Sequence, residues 1–110
     1  MGMKLVIAMI QDEDASNVIH VMNEHHIQVT RLATKGGFLR AGNTTILVGV
    51  EEEQVKEVIG ILEASCKSRM QFATLPTPGG AMHGFIPKPI EVRVGGATIF
   101  VVDVEQFYKF

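Results

Sequence analysis

One pattern occurs twice in this chain and constrains its fold more than any other feature: a strand-length apolar run, an amphipathic helix, then a further strand. Residues 4–10 form a continuous apolar run (Leu-Val-Ile-Ala-Met-Ile after Lys4), as a buried central strand carries. Gln11-Asp12-Glu13-Asp14 breaks it, and Asp12 or Asp14 is expected to cap the helix that follows. Over residues 15–24, Val18, Ile19 and Met22 form an apolar stripe flanked by Ala15 and Val21, and His25-His26 ends the helix. Residues 27–33 alternate as a half-buried strand does. Residues 44–50 are β-branched and apolar, with Gly49 marking a place where another group approaches the backbone. Glu51-Glu52-Glu53 opens a second helix with Val55, Val58, Ile59 and Leu62 on one stripe. Lys67 and Arg69 are expected near its end, where cations suit the helix dipole. A weaker strand at 70–75, a strand at 90–94, a turn at Gly95-Gly96 and a long strand at 97–104 complete the order.

Helices that cross between strands return right-handedly, so both lie on one face of the sheet. The expected architecture is a two-layer, ferredoxin-like (βαββαβ) α+β sandwich. The other face of the sheet is apolar and has no helix left to cover it. A homotrimer with its sheets packed inward would bury that face and leave clefts between subunits. The 110 residues, 46% of them hydrophobic, fit one domain with a packed core. A net charge of −2 gives no sign of a nucleic-acid polymer as partner. No window reaches the ~18–20 apolar residues of a membrane span, and no secretion signal is evident. A single cysteine, Cys66, permits no internal disulfide and suits a reducing cytoplasm. Its place on the second helix suits a buried, idle thiol.

Residues 32–45 (Leu-Ala-Thr-Lys-Gly-Gly-Phe-Leu-Arg-Ala-Gly-Asn-Thr-Thr) lie between two strands and admit two readings. One is a hairpin turn closed by Gly42-Asn43. The other is a site for a phosphate-bearing ring compound. Glycines allow close backbone approach and anion-binding nests, Phe38 offers a flat surface, and Lys35, Arg40 and Asn43 offer donors. Residues 76–89 hold all four prolines and form a long loop of the functional or mobile kind. No catalytic set emerges. The four histidines lack partners at metal-ligand spacing, Ser16 and Ser65 have no adjacent base, and no phosphate-loop or dinucleotide motif occurs. Neither a metal nor a cofactor is expected, and the enzyme reading is the weakest. Phe100, Phe107, Tyr108 and Phe110 read as packing residues, although the last ones are also placed to wall a cleft.

Several stretches carry a resemblance to a known family: residues 30–45, 6–12 (Val-Ile-Ala-Met-Ile-Gln-Asp), 86–92 (Ile-Pro-Lys-Pro-Ile-Glu-Val) and 94–101 (Val-Gly-Gly-Ala-Thr-Ile-Phe-Val). In order and spacing, residues 3–110 resemble the PII-like PstA (DarA) family of cyclic di-AMP receptor proteins. The resemblance implies a single PII-like domain with a short glycine-rich loop at 35–43 and a long flexible loop at 76–89. It further implies a cytoplasmic homotrimer that binds cyclic di-AMP at subunit interfaces and signals to a downstream protein without catalysis. Thr30, Gly37, Phe38, Leu39, Asn43, Gly49 and Phe100 match the family's ligand-contacting positions. Backbone N–H groups at 37–39 suit phosphate oxygens or adenine acceptors. Asn43 has both donors and an acceptor, Thr30 a hydroxyl, and Gly49 leaves room for a base or ribose. Phe38 and Phe100 give stacking surface worth roughly 1–3 kcal/mol per base.

Three positions depart from the family: Gln28 where Arg is common, His26 where Asn is, and Lys109 where Gln is. Loss of an Arg–phosphate bond removes ~1.5–3 kcal/mol, about one to two decades in affinity. Lys109 returns a positive charge as a point rather than a fork. Gln28 therefore also supports an alternative, a trimeric protein–protein regulator with an altered nucleotide site. A sensor of another adenine nucleotide, such as ATP, is a third reading.

Overall fold

The computed structural model describes residues 2–32, 42–74 and 89–110. The chain runs β1 (Met3–Gln11), α1 (Asp12–Glu24), β2 (Thr30–Arg31), β3 (Asn43–Glu51), a 3-10 turn (Glu52–Gln54), α2 (Val55–Cys66), β4 (Arg69–Thr74), β5 (Pro89–Val94) and β6 (Ala97–Asp103). β1, β2, β3 and β6 form one antiparallel sheet in the order β2-β3-β1-β6, while β4 and β5 pair as a separate two-stranded sheet. With two helices and antiparallel sheets, this is a small α+β fold compatible with the ferredoxin-like expectation.

β1 is central because both of its faces are apolar. Val6, Ala8 and Ile10 point to the helices and are buried with Ile46, Val48 and Val50 of β3. Ala15, Val18 and Met22 of α1 and Val58, Leu62 and Cys66 of α2 close this core, joined by Ile27. At ~25 cal/mol per Å² of buried apolar surface, such packing is the main stabilising term. On the opposite face Leu5, Ile7 and Met9 are half-buried. The register sets Thr30, Leu47, Ile7 and Phe100 side by side across all four strands.

Several local expectations are corrected. α1 begins at Asp12, and neither acidic residue caps it: Gln11 holds the cap position, and its side chain makes no capping bond to the helix. Asp12 instead accepts from the Thr44 hydroxyl. Asp14 is buried and accepts from Arg69 at 2.8 Å. Arg69 thus opens β4 and reaches α1, while its second guanidinium nitrogen donates to the Lys67 carbonyl at the end of α2 at 3.2 Å, where a cation is expected. The acidic run before α2 is a 3-10 turn in which Gln54 Oε1 accepts from the Glu51 backbone N–H at 3.2 Å. β2 is only two residues long within the described chain: Ile27 and Val29 pack inward without entering the ladder. Asn43 is not a turn residue but the first of β3, opposite Gln11, and the turn conformation falls to Gly42 with φ +92°. Phe100 and Tyr108, read as packing residues, are 52% and 71% exposed.

Candidate functional site

Two cavities at opposite ends of β3 hold five of the expected site residues: Gln28, Thr30, Gly49 and Lys109 in one, Asn43 in the other. The first, about 480 Å³, lies at the end of β3 where Gly49 sits. Gln28, Thr30, Gly49 and Lys109 all line it, with Leu5, Leu47, Phe107 and Tyr108. Thr30 reaches it because β2 pairs with β3 at Leu47, and Gly49 because it lies two residues further along the same face. Lys109 arrives with the C-terminal tail, which leaves β6 at Asp103 and is fixed at its start by the Val104 N–H donating to the Met3 carbonyl at 3.1 Å.

Gly49 is open: among the described residues, an added Cβ would meet only the Met3 Cε, at an ordinary 3.6 Å. Packing within the chain therefore does not demand glycine there, which leaves room beside the strand for a guest. The cavity offers an ammonium, an amide, a hydroxyl and two aromatic rings. Such a set can neutralise an anion, hydrogen-bond a heterocycle and cover its face. Tyr108 is held near-parallel to Phe110, with ring centroids 6.4 Å apart.

The second cavity, about 520 Å³, lies at the opposite end of β3, six residues or about 20 Å along the strand. Asn43 lines it with Gln11, Gly95 and Gly96. Gln11 is a lining residue that the sequence marks only by its place at the end of the first apolar run and within the 6–12 stretch that carries the family resemblance. Phe100 lines neither cavity; it stands on the open face opposite Ile7. Gly37, Phe38 and Leu39 lie outside the described residues, as do most of the loops expected at 35–43 and 76–89. Among the described residues, no group of three or more His, Cys, Asp or Glu side chains is placed to hold a metal ion, and no helix is long and apolar enough to cross a membrane. His25 Nδ1 lies 2.8 Å from a Glu57 carboxylate oxygen, which ties the end of α1 to α2.

Comparison with known proteins agrees with this geometry in fold and extent. The family model described as cyclic-di-AMP receptor matches residues 3–110. The crystal structure of a functionally unknown protein from Pediococcus pentosaceus ATCC 25745 superposes with a TM-score of 0.77 at 42% sequence identity, covering 100% of this chain and 99% of that one.

Proposed function

The chain belongs to the cyclic-di-AMP receptor family, and from that membership we propose a cytoplasmic, non-catalytic signal receptor that holds cyclic di-AMP between the subunits of a homotrimer. The observation that carries this reading is the cavity gathering Gln28, Thr30, Gly49 and Lys109 beside two aromatic rings. Lys109 faces a phosphate as a cation, Gln28 and Thr30 donate to phosphate or base, and an adenine ring lies in the space at Gly49 against Phe107 or Tyr108. Asn43 belongs to the same site through the neighbouring subunit. Its distance from Gly49 along one rigid strand fits one chain giving opposite ends of β3 to two different sites. The glycine-rich stretch at 37–39 contributes backbone donors from the Asn43 side.

Isothermal titration with cyclic di-AMP tests this directly. Saturable heat with one ligand per chain is expected, and Asn43→Ala weakens affinity more than about tenfold, the cost of losing a hydrogen bond to a charged group. No heat at tens of micromolar protein, where roughly micromolar binding is readily seen, refutes the ligand. Unchanged affinity in Asn43→Ala removes that residue from the site. Gln28, neutral where the family commonly has Arg, favours a second reading in which the protein engages a protein partner without the dinucleotide. Capture of the same partner with and without cyclic di-AMP supports that reading; ligand-dependent capture refutes it.

A further inference from the structure

The cavity at Asn43 shares its wall with the junction that carries the β4–β5 hairpin. Gln11 ends β1 as the register partner of Asn43. Its side chain reaches the turn between β5 and β6, where the Gly95 N–H donates to Gln11 Oε1 at 2.8 Å. A backbone N–H can only donate, so the carbonyl end of the amide must face Gly95. The two Nε2 hydrogens are then left over. Among the described residues, the bond to Gly95 is the one side-chain hydrogen bond that Gln11 makes.

The turn itself is tightly held. Gly95 and Gly96 have φ of +86° and +93°, and a Cβ on Gly95 would lie 2.5 Å from the Lys67 carbonyl oxygen. The Gly96 N–H donates to the Cys66 carbonyl. On the other strand of the hairpin, Arg69 donates to Asp14 at 2.8 Å and to the Lys67 carbonyl at 3.2 Å. A few polar contacts around this turn therefore join the two-stranded sheet to the rest of the domain. Of the groups making them, Gln11, Gly95 and Gly96 also line the cavity with Asn43.

We propose that Gln11 is a positioning residue that couples a ligand bound at Asn43 to the β4–β5 hairpin. Its Nε2 donates to a phosphate oxygen or ring nitrogen of the ligand while its Oε1 holds Gly95. A bound ligand thereby fixes the amide, and the amide fixes the turn from which β5 departs. This inference rests on the cyclic di-AMP reading given above.

Amide hydrogen exchange of the full chain, with and without cyclic di-AMP, tests it alongside calorimetry. In the wild-type chain, the ligand slows exchange over residues 69–74 and 89–96. Gln11→Glu keeps an acceptor for Gly95 and removes both donors. Its ligand-free exchange stays at the wild-type level, its affinity falls more than roughly tenfold, and the ligand no longer slows the hairpin. Gln11→Leu removes both ends of the link and speeds ligand-free exchange at residues 95–96 by roughly tenfold or more. Three results overturn the coupling while leaving the ligand assignment intact: wild-type binding without slowed hairpin exchange, wild-type affinity in Gln11→Glu, or unchanged exchange at 95–96 in Gln11→Leu. No heat from the wild-type chain overturns the ligand assignment and the coupling together.

Discussion

His26 stands where a helix of this kind ordinarily ends in glycine. The His26 N–H donates to the Asn23 carbonyl at 3.0 Å and the Ile27 N–H to the Met22 carbonyl at 2.9 Å. With His26 at φ +61°, this is a Schellman end whose left-handed position carries a Cβ. His26→Gly removes that strain and is expected to stabilise the fold by about 1 kcal/mol, a rise of about 4–8 °C in thermal midpoint. An unchanged or lowered midpoint contradicts it. The sequence around His25-His26 gives little sign of this geometry: histidine is among the non-glycine residues enriched at positive φ, but it takes up that conformation uncommonly. Cys66 behaves differently from an ordinary thiol. Burial, reinforced by the nearby Asp14 charge and opposed by Arg69, pushes it up to about 11 from 9.0. In the unfolded chain the thiol ionises near 9.0, so between that pH and about 11 the unfolded state loses a proton that the folded state keeps. Stability is therefore unaffected by this group below about 9 and falls as pH climbs toward 11. Denaturant midpoints of the wild-type chain should show that alkaline fall and those of Cys66→Ala should lack its share of it.

The elements whose apolar residues repeat with a clean period were legible: β1, α1, β3, α2 and β6 all lie within a few residues of their expected bounds. β2 was not, because Ile27 and Val29 are apolar for the sake of the core rather than of a ladder. Asp14 was misread for a related reason. An acidic residue in a first turn looks like a cap, and the cation that draws it inward lies fifty-five positions away. The same holds for the candidate site. No local spacing brings Lys109 to Gly49; the family resemblance nominated both, and the tail crossing after β6 places them on one cavity. Arg69 and Arg93 make the hairpin's dependence on that distant partner testable. Arg69 pairs with a carboxylate whose side chain is only 6% exposed and whose Oδ2 has no hydrogen-bond partner among the described residues. Among the described residues, Arg93 donates only to the exposed Ser68 hydroxyl, at 3.1 Å. Arg69→Leu should lower the thermal midpoint distinctly more than Arg93→Leu, since it strands a buried charge; equal effects contradict this account.

Across the whole molecule, the helices cover one face of the sheet and leave the other with Ile7, Met9, Leu47, Phe100 and Val102 in reach of solvent or of another chain. An apolar face of that breadth on a small domain marks an interface. Sedimentation is expected to give three times the 12.0 kDa chain mass, and Phe100→Asp, which sets a charge in the middle of the face, should return the protein to monomers. A wild-type monomer would refute the inward-packed trimer. β3 then takes on a meaning beyond pairing. It is a stiff bar with Asn43 at one end and Gly49 at the other, and in the proposed ring no chain completes a site by itself. Two strains of this protein, one damaged at Asn43 and the other at the Gly49 end, would each be deaf to the messenger. Expressed together they would hear it again, because wherever the sound ends of two different chains meet, a whole receptor is rebuilt from two broken alleles.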